Sequence, residues 1–290
     1  MRVLLDGYNL GLERGTGVAT YALGLSRLLR DAGHGVEVLY GRAVQRSADP
    51  LQRQVEFFDR EGDPPHRSRV ARWRRGLRGV WRAAAWRRAR PQWVPIDGAV
   101  VTDPLRGRLP EADRLWNHPE VFDAARLRHR LTGGFFTVSN AEIGADVAHW
   151  TYPLPLRLEG AANVYTVHDL VPLRMPYATL DRKATHLRML RQIVRDADLI
   201  VTVSEASRRD LIELLGVDEA RVVNTYQPTT LPEALLDTSE DELAAALRGV
   251  FGLERGEYLL AYGAVEPKKN FGRLIEAYLG SSVTMPLVIA

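Results

Sequence analysis

The sequence contains no cysteine and very little lysine. Because none of the 290 residues is a cysteine, disulfide bonds, thiolate zinc sites and cysteine nucleophiles are excluded. No apolar run approaches the roughly 20 residues that span a bilayer. The chain begins with MRVLLD, which reads as a short strand and lacks the apolar region and cleavage site of a signal peptide. These features predict a cytoplasmic protein.

Lysine is rare among the charged residues of the sequence. The 39 basic residues include only three lysines, namely Lys183, Lys268 and Lys269. An arginine excess of this kind is typical of a GC-rich genome. Because lysine is so rare, the adjacent pair Lys268 and Lys269 is less easily explained as surface residues without a function. This pair is therefore a candidate for a functional role.

Short apolar strands alternate with amphipathic helices, which predicts a parallel α/β protein. Residues 42–135 are harder to interpret and suggest two or three helices. The segment 227–242 is rich in Pro, Thr, Asp and Glu and predicts a linker between a first domain, 1–226, and a β-α-β unit, 243–290. The predicted strands are residues 3–5, 36–40, 146–150, 163–167, 199–203, 221–224, 258–262 and 287–290. Because a single β-α-β unit cannot bury a full parallel sheet, we expect the second domain to be incomplete here.

Gly15, Thr16 and Gly17 stand at the start of the first predicted helix. Glycines allow a ligand to approach the backbone closely, and a helix N-terminus offers free N–H groups to an anion. The alternative interpretation is a flexible loop, and a glycine pair alone does not decide between them.

His168 follows the predicted strand 163–167 directly. Ligands of open α/β sheets bind beyond the carboxyl ends of strands. A histidine there can hydrogen-bond a substrate hydroxyl or transfer a proton. The alternative is a structural histidine bonded to a neighbouring loop. His149, near the end of another predicted strand, is the weaker candidate, and no G-x-S-x-G nucleophile elbow is present.

The segment 263–270 (GAVEPKKN) lies between a strand and a helix of the second unit. The ammonium groups of Lys268 and Lys269 could hold a diphosphate, assisted by Gly263 and by the N–H groups of the following helix. The spacing is not that of a Walker P-loop. The alternative is a solvated charged turn; the scarcity of lysine favours the phosphate site.

The segment 67–90 holds ten arginines and three tryptophans but no acidic residue. A basic amphipathic segment with tryptophans suits an anionic membrane surface. It would also suit nucleic acid, and a solvated surface helix remains the third interpretation. The residues proposed to form this membrane or acceptor surface are Arg72, Trp73, Arg75, Trp81 and Arg82.

Several segments together resemble the type-4 (group 1) family of retaining glycosyltransferases, which have the GT-B fold. Residues 164–172 (VYTVHDLVP) are similar to the central motif of the family's N-terminal domain, and residues 197–207 (ADLIVTVSEAS) are similar to a second motif. Residues 258–277 resemble the opening of the donor-binding domain. The glycine loop 16–21 also fits. The resemblance implies a Rossmann-like acceptor-side domain and the beginning of a second Rossmann-like domain.

The resemblance implies transfer of a hexose, with mannose as a candidate, from a nucleotide-diphosphate sugar to a glycan or lipid-linked acceptor. The anomeric configuration would be retained, with no metal and no cofactor. Lys269 would contact the diphosphate, and Lys268 stands where the family usually has arginine, so it lacks a bidentate fork. Gly17 would let the backbone approach the donor, and His168 would hydrogen-bond the transferred sugar. The enzyme would act in polysaccharide synthesis in the cytoplasm, as a peripheral protein on the inner face of the membrane.

The family's paired glutamates, with seven residues between them, lie well downstream of the lysine motif. Since the sequence ends before that position, we expect these 290 residues alone to be inactive. Two other functions stay open. A GT-B-shaped nucleotide-sugar epimerase would act on the donor without an acceptor, whereas a nucleic-acid-binding protein would use 67–90 and leave 160–280 unexplained.

If the segment 67–90 binds an anionic membrane, the chain is expected to sediment with anionic vesicles at low salt and not with neutral ones. Replacing the arginines and tryptophans of the segment should abolish sedimentation, because both charge attraction and aromatic insertion are removed. Absence of vesicle binding at low salt would reject the membrane role. Salt-dependent oligonucleotide binding would favour nucleic acid instead.

Overall fold

The computed structural model describes residues 1–10, 17–44, 46–59, 88–101, 109–179, 182–227, 237–263 and 265–290. Contacts divide the chain into two compact units. The first comprises residues 1–170 and 182–228, and the second comprises residues 171–181 and 229–290.

An eight-stranded sheet with the order β11-β10-β9-β7-β1-β2-β5-β4 forms the centre of the first unit. All its pairs are parallel except β4 with the neighbouring β5. A smaller parallel sheet contains β3, β6 and β8. The strands are β1 Arg2–Asp6, β2 Gly35–Tyr40, β3 Arg88–Ala89, β4 Gln92–Val94, β5 Arg114–Asn117, β6 Phe136–Val138, β7 Val147–Trp150, β8 Leu156–Leu158, β9 Ala162–Val167, β10 Leu199–Thr202 and β11 Val222–Asn224.

The inner strands are apolar along most of their length because both faces of the sheet are covered. β1 buries every residue after Arg2, and β2 buries every residue after Gly35. The chain leaves β1 toward β2 and β5 on one side, then returns to β7, β9 and β10 on the other. The sheet therefore has its topological switch point between β1 and β7, where ligands of open α/β sheets bind.

The helices of the first unit are amphipathic, and the four after Gly17–Asp31 end at glycine or at an extended residue. Ser204 caps one helix by accepting a hydrogen bond from Ser207 N, and Gly216 ends the same helix with a positive φ of 66°. No helix in the described part of the chain is both long and apolar enough to cross a membrane. The helices are Gly17–Asp31, Pro50–Phe58, Val121–Thr132, Lys183–Asp196 and Glu205–Leu215.

The second unit contains a two-stranded parallel sheet of β12, Leu259–Ala261, and β13, Leu287–Ile289. Its helices are Val171–Arg174, Glu240–Ala246 and Phe271–Leu279. The helix Glu240–Ala246 begins inside the predicted linker 227–242, because Ser239 and Glu242 form a capping box that starts the helix early. It continues as a π-helical turn, Leu247–Phe251.

The eight predicted strands are found, and each end differs from its predicted position by at most one residue. Within 42–135, however, the prediction of helices alone is incomplete. The described part contains two helices and also β3, β4 and β5. These strands have two to four residues, which is too short for an alternating pattern to stand out. β6 and β8 escape prediction for the same reason.

The buried amide of Asn163 joins the small sheet to the large one. Its Oδ1 accepts hydrogen bonds from Leu158 N at 2.8 Å and Trp150 Nε1 at 3.0 Å. Its Nδ2 donates to Leu158 O at 3.0 Å and Ala161 O at 2.9 Å. One side chain therefore satisfies polar groups of β7, β8 and the turn before β9.

Replacing Asn163 with alanine should destabilise the first unit by about 3 kcal/mol or more, since several buried polar groups lose their partners at once. Urea unfolding followed by circular dichroism would measure the loss. The matched control is Asn140→Ala, whose amide bonds only Ala145 in a half-buried loop, and its effect should be smaller. Equal losses for the two variants would contradict a joining role for Asn163.

Candidate active site

Polar side chains gather at the carboxyl ends of β1, β7 and β9. Asp6 ends β1, Thr151 follows β7 and His168 follows β9. Because β7 lies between β1 and β9 in the sheet, the three residues meet at one edge. This edge includes the switch point, so it is the place where a ligand is expected.

Asp6 has a fully buried carboxyl group that is hydrogen-bonded to the loop after β1 and to the loop after β7. Its Oδ2 accepts hydrogen bonds from Thr151 N and from Thr151 Oγ1, the latter at 2.9 Å. Its Oδ1 accepts from Tyr8 N at 3.2 Å. Burial raises the pKa of Asp6 to about 6, while the hydrogen bonds from Thr151 and Tyr8 oppose that rise. At neutral pH the group is therefore mostly ionised and held by three donors.

The imidazole of His168 is held in one tautomer. Its Nε2 lies 2.8 Å from Thr151 O, and a carbonyl oxygen can only accept, so Nε2 carries the proton. Desolvation lowers the pKa of His168, although the Thr151 hydrogen bond and the charge of Asp169 oppose this. The ring is therefore neutral at pH 7. No described group bonds Nδ1, which is left as a hydrogen-bond acceptor.

The backbone of His168 is fixed from the other side by the helix Glu205–Leu215. Ser207 Oγ donates to His168 O at 2.7 Å. Ser204 Oγ in turn accepts from Ser207 N at 3.1 Å and lies 3.0 Å from Ser207 Oγ. The segments 164–172 and 197–207, which resemble two separate family motifs, thus hold one histidine jointly.

A second set of polar side chains lies next to His168. The ring of Tyr21 meets the His168 ring edge-on, with centroids 5.2 Å apart. Tyr21 OH lies 3.1 Å from Thr166 Oγ1, and His149 Nε2 lies 2.7 Å from the same oxygen. Desolvation and the neighbouring His168 lower the pKa of His149 to about 4. These contacts fit the structural interpretation of His149.

Gly17 is the first residue of the helix Gly17–Asp31, which also carries Tyr21. No described atom lies within 4 Å of the position that a Cβ would take at Gly17. Gly17 O accepts a hydrogen bond from Gln227 Nε2 at 3.3 Å. Tyr21 links this end of the helix to His168. Gly15 and Thr16 lie outside the described residues, so their predicted role in donor binding remains a prediction.

In the second unit, Gly263 and Lys269 come together. Gly263 has a φ of 140°, and a Cβ added there would lie 3.5 Å from Lys269 Cε and 3.7 Å from Lys269 Nζ. Lys269 ends a short 3-10 turn, Pro267–Lys269, that leads into the helix Phe271–Leu279. The side chain of Lys268 lies outside the described parts. The ammonium group of Lys269 therefore lies beside Gly263, which has no side chain to crowd it.

The sequence prediction missed several residues of this site, and other predicted residues cannot be located. Arg72, Trp73, Arg75, Trp81 and Arg82 all lie outside the described residues. The missed residues are Asp6, Thr151, Tyr21 and Thr166. Asp6 and Thr151 lie at strand ends, as His168 does, and that position is the signal that could have identified them.

Residues 96–226 match the family model of glycosyltransferase family 4. This range includes His149, Thr151, Thr166, His168 and Ser207. The resemblance to the group 1 glycosyltransferases, drawn from the motifs in the sequence, is thereby confirmed.

Two relatives of this family 4 domain are Escherichia coli enzymes. The chain is 32% identical over 149 residues to O-antigen chain mannosyltransferase B, covering 47% of this chain and 36% of that protein. It is 28% identical over 119 residues to the serotype-specific mannosyltransferase WbdA, covering 40% of this chain and 14% of that protein. The chain thus spans well under half the length of either relative.

The fold is also shared with a solved structure. HepE from Anabaena, in complex with UDP and glucose, superimposes with a TM-score of 0.52 at 12% identity, covering 99% of this chain and 60% of that one. At this identity the similarity shows the fold alone. It agrees with the predicted GT-B class, an α/β fold with a Rossmann-like N-terminal domain.

Replacing His149 with glutamine should make the free energy of unfolding depend less on pH between pH 7 and pH 4. Because the folded state holds the pKa of His149 near 4, well below the ordinary value of about 6.5, the unfolded state takes up the proton first as the pH falls. The stabilisation is present above pH 6.5 and declines by roughly 3 kcal/mol toward pH 4. Urea unfolding of both proteins between pH 7 and pH 4.5 would measure this.

The comparison isolates His149 because Asp6 is present in both proteins. The raised pKa of Asp6 has the opposite effect, with stability lost as the pH rises toward 6. The control is His34→Gln, at the turn before β2. A wild-type advantage over His149→Gln that stays constant with pH would contradict the prediction.

Proposed function

We propose that this chain is part of a glycosyltransferase that transfers a hexose from a nucleotide-diphosphate sugar to a glycan or lipid-linked acceptor. The observation that carries the proposal is the fixed neutral His168 at the carboxyl edge of the sheet, within the residues that match glycosyltransferase family 4. Mannose is the proposed hexose, because two relatives bear the names of mannosyltransferases. The proposed role in polysaccharide synthesis is supported by the name of one relative, which refers to an O-antigen chain.

His168 would act through Nδ1. Its Nε2 proton is engaged by Thr151 O, so Nδ1 can accept a hydrogen bond from a hydroxyl of the transferred sugar. Fixing the ring from two sides removes the entropy cost of orienting it during the reaction. The role differs from the donor role that a histidine could also play, since the donor nitrogen is already used.

Donor binding would use the second unit. Lys269 would meet the diphosphate and stabilise the negative charge that develops on the leaving group. Gly263 beside it would leave space for the phosphates, since a Cβ would contact the lysine side chain. Lys268 would add charge. On the resemblance to the family, Gly15, Thr16 and Gly17 are also proposed to contact the donor through backbone N–H groups.

Retention of the anomeric configuration and independence of metal are proposed on the resemblance to the family. Peripheral attachment to the inner face of a membrane, through the segment 67–90, is likewise a proposal. Product analysis with a donor, with and without an acceptor, would distinguish transfer from epimerisation.

Lys269→Ala is the variant that tests the donor assignment. Binding of UDP and GDP to the full-length protein, measured by calorimetry, should weaken about ten- to hundredfold, since a hydrogen bond to a charged group contributes roughly 1.5–3 kcal/mol. The matched control is Lys183→Ala, which removes the only lysine outside the pair and should leave affinity unchanged. Unchanged nucleotide affinity in Lys269→Ala would overturn the diphosphate role.

A further inference from the structure

Aromatic side chains meet at the switch point of the large sheet. Tyr8 lies in the loop after β1, and Tyr152 lies in the loop after β7. Their rings are stacked, with centroids 6.0 Å apart and planes 28° from parallel. Both are partly exposed. The pair therefore spans the crevice between the two strands at which the chain reverses its course through the sheet.

Arg126 completes this group, which we term the tyrosine platform: Tyr8, Tyr152 and Arg126. The Arg126 guanidinium carbon lies 4.4 Å from the centroid of the Tyr8 ring, a cation–π contact. The side chain is exposed and has no ion-pair partner among the described residues. Its N–H groups are consequently held over an aromatic ring and are free to bind hydroxyl oxygens.

The packing beneath the platform holds Tyr8 in place. Phe122 meets the Tyr8 ring edge-on at 5.3 Å. Gly41 allows Phe122 to approach, since a Cβ there would lie 2.6 Å from the Phe122 ring. Gly7 lets its own loop lie against Tyr40 in the same way, with a Cβ position 2.8 Å from that ring. The platform is thus built on fixed elements.

The platform is joined directly to the candidate active site. Asp6 accepts hydrogen bonds from Tyr8 N and from Thr151, the residue before Tyr152. Thr151 O in turn accepts from His168 Nε2. One buried carboxylate therefore sets the positions of both tyrosine loops relative to His168.

We infer that the tyrosine platform is the subsite for the acceptor sugar, an uncharged hexose ring at the end of a glycan. Such a ring has an apolar C–H face that packs on aromatic side chains and an edge of hydroxyl groups that accept hydrogen bonds from a guanidinium. The inference deepens the proposed function and rests on it. Tyr152 directly follows Thr151, whose carbonyl oxygen accepts a hydrogen bond from His168.

The test measures binding of methyl α-D-mannopyranoside to the 290-residue chain by ligand-observed NMR titration. Tyr8→Ala is expected to weaken binding about three- to tenfold, as loss of an aromatic contact does. Tyr8→Phe keeps the ring and should bind nearly as the wild type does. Tyr177→Ala removes a strongly exposed tyrosine outside the platform and should have no effect.

Arg126→Gln provides a second measurement that does not alter the core, for use if Tyr8→Ala fails to fold by circular dichroism. It should also weaken binding of the mannoside. Wild-type protein that does not bind the mannoside would overturn the inference. Equal affinity in the wild type, Tyr8→Ala and Arg126→Gln would overturn it as well.

Binding of UDP and GDP, measured on the same samples, separates this inference from the proposed function. Platform variants should leave nucleotide affinity unchanged, because the diphosphate is assigned to Lys269. If mannoside binds in a platform-dependent way but Lys269→Ala leaves nucleotide affinity unchanged, the platform stands and the donor assignment fails. If nucleotide binds but the mannoside does not, the platform fails and the donor assignment stands.

Discussion

The candidate site depends on one buried carboxylate, Asp6. A buried charge is costly unless its hydrogen bonds are satisfied, and here Thr151 and Tyr8 supply three donors. Those bonds hold the loops after β1 and β7 against each other. Because Thr151 also accepts from His168, the orientation of the histidine follows from the position of the carboxylate. The loops, the tyrosine platform and His168 therefore form one connected unit.

The site is rigid for a second reason, because residues from two separate sequence motifs hold His168. His168 belongs to one motif, while the serine that holds its backbone belongs to another and is also part of the cap of the helix Glu205–Leu215. The cap that starts this helix thus also anchors the histidine. A group oriented from both side chain and backbone needs little reorganisation when a substrate arrives, which favours transfer reactions in which alignment dominates the barrier.

Much of the fold could be predicted because parallel strands buried on both faces must be apolar throughout. β1, β9 and β10 stand out for this reason, and so does the position of His168 after β9. The strands β3, β6 and β8 could not be predicted, since two or three residues carry no periodic signal and their pairing partners lie far away in the chain. The helix Glu240–Ala246 overlaps the end of the predicted linker 227–242, because its capping box lies in a polar segment that otherwise resembles a linker.

The sequence alone was sufficient to predict the class of the protein. Its strand and helix pattern and its three motifs predicted a GT-B glycosyltransferase, and the family 4 match of residues 96–226 agrees. The tertiary structure alone decided how the site is assembled. Asp6 and Thr151 are 145 residues apart, and an acidic residue at a strand end looks the same in sequence whether it faces water or clamps a loop. Only the packing of β1 beside β7 makes Asp6 a buried acceptor, fixes the tautomer of His168 and brings Tyr8 onto Tyr152.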